Sequence, residues 1–312
     1  MPGSVVIRVD PERREWWKAT LSDLLPDFEV YLWDEDSFDK ASIDYAVVWM
    51  PPLGALASLP NLRCVFSVGA GVAHILRDST YPQHVPIVRT VSEDLRRRMC
   101  EYVALHVLRV HRRLPEIESA DRRSEWVQYV EPLARDYPVG LLGLGNLGAA
   151  VARTLSVIGY PVNGWSRRGR PVENVDVYTG DDGLRELLAN SQVVVSLLPG
   201  TPATENLLDS EALSRMPEGS HLINVGRGET IVDEDLLAHL SSGHIASATL
   251  DVFRSEPLPT DHQFWSTESV LVTSHTASAI EPATGGRVIA DNIAAFDRGD
   301  SLPDTVDLAQ GY

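Results

Sequence analysis

Cysteine is scarce: Cys64 and Cys100 are the only two in 312 residues, too few for a disulfide framework or a cysteine-built zinc site. No run of about eighteen uncharged apolar residues occurs, which argues against a membrane-spanning helix. The N-terminal residues MPGSVVIRVD reach a charge at Arg8 before any apolar signal core forms. Lysine is nearly missing, with Lys18 and Lys40 against 25 arginines. Basic residues are outnumbered overall, 27 against 44 acidic ones, for a net charge of −17. That balance argues against a nucleic-acid surface and against docking on an anionic membrane. An acid-rich, lysine-poor surface fits either high-salt adaptation or an arginine-rich coding bias, and both readings stay open. Fixed-period repeats and low-complexity tracts are absent, which excludes solenoids and disordered tails. The expectation is a reduced, cytoplasmic, globular protein of about two domains.

What is present is alternation. Short β-branched runs recur at Val5–Val9, Tyr45–Trp49, Cys64–Val68, Val139–Leu142, Val193–Leu198, His221–Val225, Ala246–Leu250 and Val270–Thr273. Helix-like stretches lie between many of them, such as Leu147, Val151, Leu155 and Ile158 at three- and four-residue spacing. Strand and helix in alternation predict an α/β protein with parallel sheets and right-handed crossovers. A long helix is expected from Asp94 to about Glu118, and another from about Glu281 to Arg298. Two such helices bracketing a central block suggest a chain that leaves one domain, builds a second and returns.

The central block opens on Val139-Gly-Leu-Leu-Gly143-Leu-Gly145-Asn146-Leu147-Gly148. A buried strand runs straight into GxGxxG, and a helix follows. Gly143 serves the tight turn, Gly145 the close approach of backbone to a pyrophosphate, and Gly148 the packing of helix on strand. The amides near Asn146 and Leu147, at the helix start, would face the phosphates. A bare glycine fingerprint is weak evidence; a second strand at Pro161–Trp165 strengthens it. After that strand stand Ser166, Arg167 and Arg168, where an NAD site would carry a carboxylate for the ribose hydroxyl. Guanidiniums there suit a 2′-phosphate, so NADP(H) is preferred and NAD(H) remains possible.

Three ionisable residues each follow an expected strand: Arg227 after Leu222–Val225, Glu256 after Thr249–Phe253, and His275 after Val270–Thr273. Strand carboxyl ends border the ligand crevice of a doubly wound sheet. Histidine moves protons near neutrality, a carboxylate beside it fixes the ring, and arginine forks onto a carboxylate. Taken singly, each has an ordinary reading as a cap, a loop acid or a turn residue. The spacing over successive strand ends is what favours a shared site. The remaining histidines show no metal-ligand spacing, and no metal is expected.

The runs GLLGLGNLG, INVGRGE and LDVFRSEPLP, with the histidine of TSHTAS, resemble the D-isomer-specific 2-hydroxyacid dehydrogenases, and within them the glyoxylate/hydroxypyruvate reductase A group. The resemblance extends from VVWMPP through SVGAGVAHIL to Gly311-Tyr312. It implies two doubly wound domains. A flavodoxin-like substrate domain (1–98 and 283–312) would receive a Rossmann domain (99–282) as an insertion. It implies reduction of a small 2-oxo acid, such as glyoxylate or hydroxypyruvate, to the D-2-hydroxy acid. In that reading His275 protonates the carbonyl oxygen, Glu256 holds His275 and Arg227 orients the substrate. Ala70, Gly71 and Val72 would offer amides to the substrate carboxylate, and Trp49 would line its pocket. Leu198, Pro199, Thr204, Val225, Gly226 and Asp251 join the expected cofactor contacts, and a homodimer is implied. Two positions depart from the family: Ala73 stands where Asp is usual, and Ser274 where Pro is usual. Larger 2-oxo acids as substrates, or a nucleotide-sensing regulator on the same fold, are the alternatives.

Overall fold

The computed structural model describes residues 3–308, so Gly311 and Tyr312 lie outside the described residues. In chain order the first elements are β1 (Gly3–Arg8), α1 (Arg14–Leu24), β2 (Phe28–Leu32), β3 (Tyr45–Val48), β4 (Cys64–Ser67), α2 (Ala73–Leu76) and β5 (Ile87–Arg89). There follow α3 (Glu93–His111), α4 (Leu114–Arg122), β6 (Val139–Leu142), α5 (Asn146–Ile158), β7 (Val162–Trp165), β8 (Val175–Tyr178) and α6 (Gly180–Ala189). The rest are β9 (Val193–Ser196), α7 (Ser210–Ser214), β10 (Ser220–Asn224), α8 (Asp233–Ser242), β11 (Ile245–Leu250), β12 (Val270–Val272) and α9 (Pro282–Asp297). They divide into two units, Met1–Leu95 with Ala279–Tyr312, and Arg96–Ser278.

The first unit holds a five-stranded sheet in the order β2-β1-β3-β4-β5, every pairing parallel. This is the flavodoxin-like order, with its reversal between β1 and β3. Its central strands are buried along their length, as near-continuous apolar runs require. On α1, Trp17 and Leu21 lie four residues apart on one face and are both buried. Burying a leucine-sized side chain of this kind contributes about 1.5–3 kcal/mol.

The second unit holds seven parallel strands in the order β12-β11-β10-β9-β6-β7-β8. Counted from β6, this is the Rossmann order with one further strand, and it reverses between β6 and β9. Alternate residues enter separate clusters: Leu142, Val194 and Leu222 in one, Leu141, Val193, Val195 and Ile223 in the other. Both faces of the sheet are therefore covered, as a parallel sheet requires.

The expected long helix from Asp94 to about Glu118 is two helices. Arg113 adopts a left-handed backbone (φ 52°) and α4 begins beside it with Pro115 in its first turn. Proline has no N–H to continue the ladder of α3 and fits a first turn, so the chain restarts there. Strands β2, β5 and β8 carry no signal among the expected runs. Each is the edge strand of its sheet. Among the described residues no helix is long and apolar enough to cross a membrane.

Candidate active site

The glycine loop joins β6 to α5. Gly143 has φ +102°, a conformation side chains rarely adopt, and an added Cβ on Gly148 would lie 1.9 Å from the Gly143 carbonyl oxygen. These two positions bring the start of α5 hard against the strand end. An added Cβ on Gly145 would point into open space, nothing lying within 4 Å. Asn146 and Leu147 open α5, so the helix presents its first amides beside that space. A pyrophosphate fits this arrangement.

At the end of β7, the Ser166 amide donates to the Tyr178 carbonyl (3.1 Å), and Arg167 and Arg168 form an exposed turn. No Asp or Glu occurs from Val162 to Val172. At the end of β9, Leu198 is buried, and the Thr204 hydroxyl donates to the Pro199 carbonyl (2.5 Å), closing the turn that follows. Val225 and Gly226 lie buried at the end of β10, the Val225 amide donating to the Ser196 carbonyl of the neighbouring strand (3.0 Å). The expected cofactor residues thus gather at the carboxyl ends of β6, β7, β9 and β10.

Arg227, Glu256 and His275 follow β10, β11 and β12, three neighbouring strands. Glu256 Oε2 lies 2.7 Å from His275 Nδ1, and Glu256 Oε1 accepts the Phe253 amide at 3.0 Å. Burial acts to raise the Glu256 carboxyl. The hydrogen bond and charge of His275, the Phe253 amide and Arg227 outweigh it and hold Glu256 below the ordinary carboxylate value. An ionised carboxylate only accepts, so the His275 proton sits on Nδ1 and Nε2 is the ring's outer nitrogen. Arg227 is partly buried and donates from Nη1 to the Gly226 carbonyl (2.6 Å). Burial pushes its guanidinium pKa down against the pull of Glu256 and Glu229.

Asp251, directly after β11, ties down the turn that carries His275. It is 1% exposed. Its carboxylate accepts the Thr273 hydroxyl (2.5 Å) and the amides of Thr276 (2.8 Å) and Ala277 (2.9 Å). Its carbonyl accepts the His275 amide (2.9 Å). These bonds bracket His275 on both sides and close a turn in which His275 has a left-handed φ of 54°. Tyr102 on α3 completes the chain. Thr273 spends its proton on Asp251, so the Tyr102 hydroxyl donates to Thr273 at 2.7 Å. Burial pushes the Tyr102 phenol up to about 12. Nothing in the sequence distinguished Tyr102 from the other apolar-stripe positions of α3. Asp251→Ala removes the acceptor of three donors, of which the Ala277 amide is buried and loses its partner at about 1–3 kcal/mol. The expected result is a clear drop in urea unfolding free energy with a loss of turnover; a variant of wild-type stability contradicts this geometry.

In the first unit, Trp49 follows β3 and the loop Gly69–Val72 follows β4. The structure brings these together: an added Cβ on Gly69 would lie 3.7 Å from the Trp49 ring. Ala70 and Gly71 are partly exposed, whereas the Val72 side chain is buried. Among the described residues no group of three or more His, Cys, Asp or Glu is placed to hold a metal.

Comparisons with known proteins agree with this architecture. Residues 104–277 match the model of the D-isomer specific 2-hydroxyacid dehydrogenase, NAD binding domain. The chain is 37% identical over 304 residues to a glyoxylate/hydroxypyruvate reductase A of Serratia proteamaculans, covering 96% of each. It is similar in structure to a D-isomer specific 2-hydroxyacid dehydrogenase of Xanthobacter autotrophicus Py2 solved in complex with NADPH and MES. There the TM-score is 0.95 at 38% identity, with 100% of each chain covered. An NADPH-dependent glyoxylate/hydroxypyruvate reductase of Sinorhizobium meliloti, in complex with NADP and sulfate, superposes with TM-score 0.93 at 35% identity, covering 99% of this chain and 100% of that one. By sequence and by fold, the chain belongs to the D-isomer specific 2-hydroxyacid dehydrogenase family and is an NAD(P)-dependent oxidoreductase.

Proposed function

We propose that the protein reduces a small 2-oxo acid, glyoxylate, hydroxypyruvate or a close analogue, to the D-2-hydroxy acid with NADPH. The observation that carries this reading is the His275–Glu256 pair, 2.7 Å apart at the strand ends that also bear Arg227. When bound, the reduced nicotinamide supplies the hydride. In its doubly protonated form His275 gives the Nε2 proton to the carbonyl oxygen, acting as general acid, while the Nδ1–H stays on the ring and keeps donating to Glu256. Arg227 takes the substrate carboxylate through its forked N–H groups and steadies charge on the carbonyl oxygen. To the first unit we assign the remaining substrate contacts: the amides of Ala70, Gly71 and Val72, and the ring of Trp49. To the second we assign the cofactor.

The exposed turn of Ser166, Arg167 and Arg168, with no carboxylate near it in sequence, supports NADP(H) over NAD(H). Relatives solved with NADP or NADPH point the same way. Steady-state oxidation of NADPH and of NADH, each paired with glyoxylate, hydroxypyruvate, pyruvate and 2-oxoisocaproate, tests the reading. The expected result is a higher kcat/KM with NADPH and with the two small acids. A preference for NADH, or for 2-oxoisocaproate, contradicts it.

We also propose a cytoplasmic homodimer. Leu105, Leu108, Ile117, Trp126, Val130 and Leu133 are exposed on α3, α4 and the segment after them, Trp126 at 92%. So many apolar side chains on one stretch of a water-facing surface point to a covered face. Light scattering should give the mass of two chains; the mass of one chain overturns this.

A further inference from the structure

Ala73, directly after the loop Gly69–Val72, carries no polar group with which to hold it. Other residues hold the loop in this structure. Ser67, the fully buried last residue of β4, donates its hydroxyl proton to the Gly71 carbonyl at 2.7 Å. With that proton committed, Ser67 Oγ can only accept from His74, whose Nε2 lies 3.5 Å away. The His74 ring is 7% exposed and lies against the Trp49 indole, ring centroids 4.4 Å apart.

The peptide bond links these contacts to substrate binding. The Gly71 carbonyl and the Val72 amide belong to one planar peptide unit and point in opposite directions. Holding the carbonyl therefore aims the amide. Gly69 and Gly71 give the loop wide backbone freedom, so an unheld peptide here has other orientations open to it.

We propose that His74 is a positioning residue for the 2-oxo acid, seating the Trp49 ring and, through Ser67, aiming the Val72 amide. This rests on the assignment of Trp49 and the 70–72 amides to the substrate. His74 separates two duties, since Ser67 serves only the amide whereas the imidazole face serves Trp49.

The test compares His74→Ala, His74→Phe and Ser67→Ala in the full-length protein. In His74→Ala, KM for hydroxypyruvate should rise about five- to tenfold, the scale of one lost hydrogen bond. The Kd for NADPH, read by its fluorescence, should not change, and kcat should stay within about twofold. Ser67→Ala should raise KM for every 2-oxo acid by a similar factor, leaving their relative kcat/KM unaltered. His74→Ala should in addition shift relative kcat/KM towards larger acids. His74→Phe, which restores a ring against Trp49, should reverse that shift but not the rise in KM. Folded His74→Ala and Ser67→Ala proteins with wild-type KM for all acids overturn the inference. So does a joint rise of KM for the acid and Kd for NADPH with a lowered Tm, which marks general loosening. Wild-type protein that turns over no 2-oxo acid overturns the functional reading itself, and this inference with it.

Discussion

His275→Asn lowers kcat by about 10²–10⁴-fold, the usual contribution of a positioned general acid, with the Kd for NADPH unchanged. Asparagine is the informative replacement because position 275 has φ 54°, and Asn tolerates the left-handed region far better than Ala. The turn held by Asp251 then survives, and only the proton donor is lost. Glu256→Gln moves kcat in the same direction by less. The Phe253 amide and His275 Nδ1–H both need an acceptor, and Gln offers one oxygen where Glu offers two. The pH dependence has a definite sign. The Glu256 pKa is lower in the folded protein than in the unfolded chain, so its contribution to stability is fully present above the ordinary carboxylate value. That contribution fades as pH falls through the folded value, and Glu256→Gln should flatten this part of the acid-unfolding profile. Turnover of His275→Asn within a factor of two of wild type removes His275 from the chemistry.

Arg227→Met raises KM for the 2-oxo acid and lowers kcat/KM by about 30-fold to several thousand-fold. The range follows from about 2–5 kcal/mol for truncating one partner of a buried, hydrogen-bonded charge pair. Burial pushes the guanidinium pKa down against the pull of Glu256 and Glu229, while the side chain stays partly exposed and open to an arriving carboxylate. Lysine should not rescue the loss, because a single ammonium cannot reproduce the planar fork. The Arg227 carbonyl accepts from Asn224 Nδ2 (3.0 Å) and the Thr230 hydroxyl (2.7 Å) whatever the side chain, so the turn should persist. An Arg227→Met protein with unchanged KM and kcat contradicts the assignment.

The sequence signals that worked were those with a dense physical cause. Central strands such as β4 and β9 are buried along their whole length and read as apolar runs closed by a buried serine. Strands β2 and β8 alternate partly exposed residues at sheet edges, and β5 has three residues, so neither length nor pattern marks them. The break at Arg113 is marked in the sequence by Pro115, which lies just beyond the apolar stripe of α3. Arg227, Glu256 and His275 stood out because each follows a strand; their side-chain distances needed the fold. Asp251 shows the limit of local reading. Its hydrogen-bond partners Thr273, Thr276 and Ala277 lie more than twenty residues on, outside any local motif. His74 was hidden for the same reason, since only the fold lays its ring against Trp49.

The most direct measurement of the central claim follows the hydride and the stereochemistry together. Protein supplied with hydroxypyruvate and NADPH carrying two deuterons at C4 of the nicotinamide should yield glycerate bearing deuterium at C2, and chiral separation should assign it to the D-enantiomer. L-glycerate, or glycerate without the label, would contradict the account.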